Sequence, residues 1–328
     1  MLIAFSILIT ILYYISVGYN VLFLGISAIF SGETYDIATL RLESYSSSRY
    51  LFPGYVNQFK NSILPISSVI LIYYLYSVRH KYRGAIAGTL GLMSLIGLLG
   101  TGQRGAFVVF VLVVLCFTYY ISRITFFRAL RTALLVGIPI FFLSSIVLDR
   151  NNTQDTLATD PIQTVTVLGR ELGNRIFSDN QITSIVGYRY VSFLPTAHGE
   201  EWGQAILGLL PGESFRGSDL SGQIFKILYG NDRGTAPIGL WGSVFYNFGT
   251  IGLVVFPLLF GAFLRGIFSY FSRNTTLNTG QIAGIAGVFV TLGTWVSDGP
   301  VTVLNTGALA YLFIYFICTP KTRPKYNE

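Results

Sequence analysis

Residues 234–264 read GTAPIGLWGSVFYNFGTIGLVVFPLLFGAFL, a stretch of 31 residues without a single Asp, Glu, Lys or Arg. A helix needs about 20 largely apolar residues to cross the hydrocarbon core of a bilayer. Seven other runs share this freedom from charge: residues 1–31, 61–78, 84–103, 105–122, 132–148, 274–297 and 299–320. A buried soluble core explains one or two such runs, not eight. A closed barrel would also satisfy its backbone in lipid, but its strands alternate over roughly ten residues, and that pattern is absent. Across the chain 52% of residues are hydrophobic and 11% are charged, against about a quarter charged in soluble domains. The expected fold is therefore an all-α polytopic membrane protein with about eight transmembrane helices.

The charges between the runs set the topology. If the N-terminus is cytoplasmic and the runs alternate, the inner segments hold Arg79, Lys81, Arg83, Arg123, Arg128, Arg131, Arg265, Arg273, Lys321, Arg323 and Lys325 against one acid, Glu328. The outer segments then hold the other 11 of the 22 basic residues and 14 of the 15 acidic ones. Cytoplasmic loops of membrane proteins carry such an excess of Lys and Arg, and the rule is strongest for short loops. Both termini are thus expected in the cytoplasm. The isoelectric point near 9.3 reports this asymmetry, so no nucleic-acid partner is implied. The parts are residues 1–149 with five helices, an outer loop at 150–233, three helices at 234–320, and a tail at 321–328.

The run at Met1 has no basic stretch before it and no small-residue cleavage site before Glu33, so it does not read as a signal peptide. So abrupt a start suits an N-terminally shortened form of a longer protein. Cys116 and Cys318 both fall in apolar runs, with no metal-ligand company and no expected disulfide. No metal and no cofactor are expected.

The loop at 150–233 is far too long to be a simple connector. Val165, Leu168, Leu172 and Ile176 recur at helical spacing, and residues 202–210 are apolar enough to lie on an interface. Short helices packed over the membrane part are expected.

Arg104 stands in Gly100-Thr101-Gly102-Gln103-Arg104-Gly105, a minimal outer turn between two runs. An outer arginine in a short turn runs against the inside bias. It suits a fixed cation for an anionic group at the membrane surface better than the alternative, a side chain snorkelling to headgroups. The long loop adds Arg150, Arg170, Arg175, Arg189, Arg216 and Arg233 against Lys226 alone; arginine binds phosphate bidentately where lysine does not. Arg175 has Glu171 and Asp179 four residues away on either side as local partners. Arg189 has none, and its neighbours Tyr188 and Tyr190 suit either sugar stacking or an interfacial aromatic belt. His198, followed by Glu200 and Glu201, is a candidate general base or orienting group; a merely solvated loop histidine is the alternative. No P-loop, Gly-x-Ser-x-Gly or dinucleotide fingerprint occurs.

Trp241-Gly242-Ser243-Val244-Phe245-Tyr246-Asn247-Phe248-Gly249-Thr250-Ile251-Gly252 resembles the Tyr-x-Asn-Phe-Gly-x-x-Gly type of signature in bacterial oligosaccharide repeat-unit polymerases, the Wzy-type O-antigen and exopolysaccharide polymerases. In this chain Tyr246 directly precedes Asn247. The Gly-Gln-Arg-Gly turn and the segment from Gly199-Glu200 to Leu210-Pro211-Gly212 are similar to features of the same family, over roughly residues 84–261. The glycines around Asn247 also serve plain close helix packing.

The resemblance implies a GT-C-like glycosyltransferase in the bacterial inner membrane, with the large loop periplasmic. It would join undecaprenyl-diphosphate-linked oligosaccharide units, with a chain-length regulator protein as a further partner. On that reading Arg104 and Arg189 hold the diphosphate and His198 or Glu200 engages the acceptor hydroxyl. Arg175, Arg170, Arg233, Tyr188, Tyr190, Tyr246 and Asn247 bind substrate. An O-antigen ligase, which moves finished polymer onto lipid A core, shares this architecture. A polysaccharide flippase is the rival of another class, and charge-free helices count against it.

Overall fold

The computed structural model describes residues 1–31, 35–46, 55–122, 125–148, 180–207, 220–230, 238–273, 276–295 and 307–319, with isolated positions at 166, 169, 170, 173, 174, 178 and 236. Among the described residues every regular element is helical.

Helices α1 (Leu2–Val17) and α2 (Val21–Ser31) divide the first apolar run. Gly18 ends α1 in the left-handed region at φ 88°, where a Cβ would clash with the following carbonyl. Asn20 then opens α2, its Oδ1 accepting the amides of Leu22 and Phe23 at 3.1 and 3.2 Å, as an N-cap does. The two axes bend by 62° across Gly18–Asn20. The Val21 amide donates to the Gly100 carbonyl at 2.7 Å, fastening this bend to the end of a later helix.

After α3 (Ile37–Ser46), the chain runs without a break through α4 (Tyr55–Gln58), a π-helical turn (Phe59–Ile63) and α5 (Leu64–Ser77). The segment between the first two charge-free runs, 32–60, is thus helical at its end. Lys60 is 0% exposed, its ammonium 2.8 Å from Asn61 Oδ1 and 5.3 Å over the Tyr13 ring. Then follow α6 (Arg83–Leu99), α7 (Arg104–Ser122) and α8 (Phe126–Leu148). Three short helices come from the long loop: α9 (Asn180–Val191), α10 (Glu200–Leu207) and α11 (Leu220–Tyr229). The last three are α12 (Gly239–Ser272), α13 (Thr279–Gly293) and α14 (Ala308–Ile317).

Two of these helices, α7 and α12, are long and apolar enough to cross a membrane, and a third span results if the bent α1–α2 pair counts as one. The chain is a helical membrane protein. Helices α6, α13 and α14 are apolar but shorter. Helix ends outlast the charge-free runs: Arg265 lies within α12, and Arg128 and Arg131 lie in the first turns of α8. Long arginine side chains can reach polar surroundings from a helix that continues beneath them.

The core is built from Ile63, Ile66, Val113, Phe117, Ala283, Val288, Tyr311 and their neighbours. Helices α13 and α14 meet closely because α13 presents glycine. A Cβ at Gly284 would stand 2.8 Å from the Tyr311 carbonyl, and one at Gly287 would fall on the Tyr311 ring. Without a hydrophobic drive between helices in lipid, such close backbone approach supplies the packing energy. Asn278 and Gln281 cap α13 reciprocally, at 2.9 and 3.0 Å.

Candidate active site

Helix α12 does not run straight. Gly249 sits at φ 63°, ψ −156° inside it, a conformation essentially reserved for glycine. This break frees the carbonyls one turn earlier, and the loop before α10 takes them up. The Ala197 amide donates to the Tyr246 carbonyl at 2.8 Å and the Gly199 amide to the Asn247 carbonyl at 3.0 Å. The break in α12 therefore docks residues 197–199, and α10 follows directly onto the apolar helix.

That docking carries Glu201 inward. The Asn247 amide Nδ2 donates to Glu201 Oε2 at 2.7 Å and to the Ser243 carbonyl at 2.9 Å. The Ser243 hydroxyl lies 3.3 Å from the same carboxylate oxygen. Trp202 Nε1 donates to Ser243 Oγ at 2.9 Å, which turns the serine hydrogen toward Glu201. Asn247 is 0% exposed and Ser243 3%. Burial pushes the Glu201 carboxyl above the ordinary carboxylate range, and the bonds from Asn247 and Ser243 pull partly the other way. Oε2 is thus held by two donors. The Asn247 Oδ1 is buried without a hydrogen-bond donor among the described residues. The indole of Trp202 packs edge-on against Phe248 and Phe256 at 5.0 and 5.4 Å. The result is a carboxylate fixed at the wall of an apolar, aromatic setting.

Of the sequence candidates, His198 lies in the docked loop and Glu200 at the start of α10. His198 is exposed, with φ 51°, in the docked loop. Glu200 is exposed and accepts from Gln204 Nε2 at 2.8 Å. Arg189 is exposed on α9; the Tyr188 ring lies 5.1 Å from Phe245, and the Tyr190 hydroxyl donates to Gln223 at 3.0 Å. Arg170 is exposed. Arg175 and Arg233 lie outside the described residues. Tyr246 contributes its carbonyl and packs with the cluster of Val191, Leu220 and Ile224.

Arg104 stands on other elements. It opens α7, half-buried, with its guanidinium 6.0 Å over the Phe141 ring of α8. The side-chain stem of Arg41 on α3 passes the turn before it: a Cβ at Gly102 would lie 3.8 Å from that stem.

Glu201 and Ser243 were not singled out from sequence. A signal for Glu201 existed. Adjacent residues on a helix point about 100° apart, and Glu200 pairs with Gln204 at i, i+4, so Glu201 had to face elsewhere. Arg41 had no such local signal. No group of three or more His, Cys, Asp or Glu that could hold a metal ion occurs among the described residues. Comparison with protein-family models, curated proteins and solved structures gave no match. Fold and site define a helical membrane protein with a half-buried, hydrogen-bonded carboxylate where a loop helix meets a broken apolar helix.

Proposed function

We propose that the chain polymerises undecaprenyl-diphosphate-linked oligosaccharide units at the periplasmic face of the bacterial inner membrane. The observation that carries this reading is the bond from Asn247 to Glu201 at 2.7 Å. The stretch that resembles the polymerase signature holds a carboxylate in place, with one oxygen left to accept a proton.

In the proposed reaction, the acceptor hydroxyl gives its proton to Glu201 Oε1 while its oxygen bonds to the donor's anomeric carbon. The bond from that carbon to the diphosphate breaks, and the lipid diphosphate leaves with the electron pair. Arg104 and Arg189 stabilise the departing charge, with Arg175, Arg170 and Arg233 in support. His198 and Glu200 flank the acceptor sugar, and Tyr188, Tyr190 and Tyr246 supply surfaces for it. The activated leaving group lets this proceed without a metal. Eight spans with both termini cytoplasmic, a periplasmic loop at 150–233 and a chain-length regulator as partner complete the proposal. The distribution of Lys and Arg supports that topology.

The test is complementation of a deletion strain with Glu201→Gln, His198→Ala and Arg104→Ala, reading surface polysaccharide on gels. Loss of the ladder with single units still reaching the surface is the expected result for Glu201→Gln and Arg104→Ala. Unattached polymer would indicate a ligase, and units trapped in the cytoplasm a flippase. A full ladder from Glu201→Gln would overturn the assignment of the base.

A further inference from the structure

Among the described residues Lys60 is the one fully buried cation, at 0% exposure. It lies in the π-helical turn Phe59–Ile63, which packs against α1, α4, α5, α6, α7 and α14. None of these six helices contains an Asp or Glu. Their other charged side chains, Arg83 and Arg104, open α6 and α7 and lie over the Tyr76 and Phe141 rings. The titratable groups beside the turn are tyrosines: Tyr13 and Tyr14 of α1, and Tyr311 of α14, which bonds to Ser62. Tyr55 of α4 is exposed.

The described partners of the Lys60 ammonium are Asn61 Oδ1 at 2.8 Å and the face of the Tyr13 ring at 5.3 Å. A fully buried lysine without a counter-charge is rare, and desolvation disfavours its charged form. Burial lowers the Lys60 ammonium to about 7, so the charge of this turn changes near neutral pH. Single π-helical turns of this kind are common at functional sites.

The ring that Lys60 touches reaches another element. Tyr13 is buried and donates its hydroxyl to the Ser44 carbonyl, in the last turn of α3, at 2.9 Å. The final carbonyls of a helix lack partners within it, and Tyr13 supplies one. A cation on the ring face attracts the ring and polarises the bond that its hydroxyl makes, whereas a neutral amine does neither. The partial negative charge at a helix C-terminus favours the same cation. Tyr19 makes a second tie to α3, its hydroxyl donating to the Leu40 carbonyl at 2.7 Å. Weakening the first tie therefore frees the C-terminal turn of α3 while the helix stays attached. On α3 itself Glu43 is exposed and Arg41 half-buried.

We propose that Lys60 is a proton-operated lock on α3: its ammonium holds Tyr13 as the cap of the C-terminal turn, and loss of the proton loosens that turn. The lock closes on the acid side and opens on the alkaline side. It does not depend on the polymerase reading.

The experiment uses the full chain in nanodiscs, with Cys116→Ala, Cys318→Ala and a nitroxide on Glu43→Cys, an exposed position beside Ser44. Spectra are recorded from acid to alkaline pH. The ratio of mobile to immobile label should rise roughly tenfold or more as pH passes through neutrality, the scale a desolvated cation–π contact supports. Lys60→Met should be loose at every pH. Lys60→Arg keeps its charge throughout this range and should stay restrained. Tyr13→Phe keeps the ring and loses the cap, so it should be loose and insensitive to pH. A wild-type spectrum that is the same on both sides of neutrality would overturn the proposal, as would a transition that persists in Lys60→Met or in Tyr13→Phe. Tyr13→Phe deletes a single oxygen, so it decides the matter even where Lys60→Arg fails to fold.

Discussion

Asn247 and Glu201 are 46 positions apart, yet the amide of one donates to the carboxylate of the other at 2.7 Å. A long apolar helix thereby fixes the ionisable group of a loop helix. Burial raises the Glu201 pKa and the bond from Asn247 lowers it. If ionised Glu201 is the base, the acid limb of the pH–activity profile lies above that of an ordinary carboxylate. Asn247→Ala removes a lowering influence, so the limb should move further to alkaline pH as well as losing height. Polymerisation by purified protein across pH measures this. An acid limb unmoved by Asn247→Ala would count against Glu201 as the base.

The same raised pKa affects stability in the opposite sense. An acid whose folded pKa exceeds its unfolded value costs nothing while protonated, below the unfolded pKa. It destabilises progressively as pH rises from that value through the folded one. Glu201→Gln keeps hydrogen-bonding capacity without the charge. Its melting temperature should equal that of wild type in acid and exceed it at neutral pH. Thermal unfolding in detergent at two pH values is the measurement.

Gly249 sustains φ 63° and ψ −156°, so Gly249→Ala should cost about 1–3 kcal/mol, the usual cost of holding a residue in so sparsely populated a region. Because the break delivers the carbonyls that dock residues 197–199, the loss should include local release of that loop. Hydrogen exchange at Ala197 and Gly199 would report it. Protection unchanged from wild type would refute the coupling.

The apolar helices were legible in the sequence because exclusion of charge from lipid is a strict requirement. The division of the first run at Gly18 was not read, because residues 1–31 show no charge or proline there, although Gly18 and Asn20 are local C-cap and N-cap residues. Arg104 and Asn247 stood out because each breaks a local pattern. Glu201 did not, because its partners Ser243 and Asn247 lie on another helix. A buried polar network is a tertiary property. It becomes visible only when the chain brings its members together.

Lys60 illustrates the same point, and it supports a last prediction. Its ammonium is fully buried in the π-helical turn against Asn61 and the Tyr13 ring. A cation over an aromatic face recovers some energy, about 2 kcal/mol when desolvated. Stripping its water costs more than this returns, since burial lowers the Lys60 pKa to about 7, so the balance is unfavourable. Lys60→Met keeps the length of the side chain and removes the charge. It should raise thermal stability by about 1 kcal/mol or more, as replacing buried charge by well-packed apolar groups often does. Lys60→Glu buries an opposite charge against the Asn61 oxygen and the negative ring face, and should destabilise strongly. A Lys60→Met protein that melts well below wild type would mean that the ammonium stabilises the turn where α1 and the π-helical segment meet, and the sign argued here would be reversed.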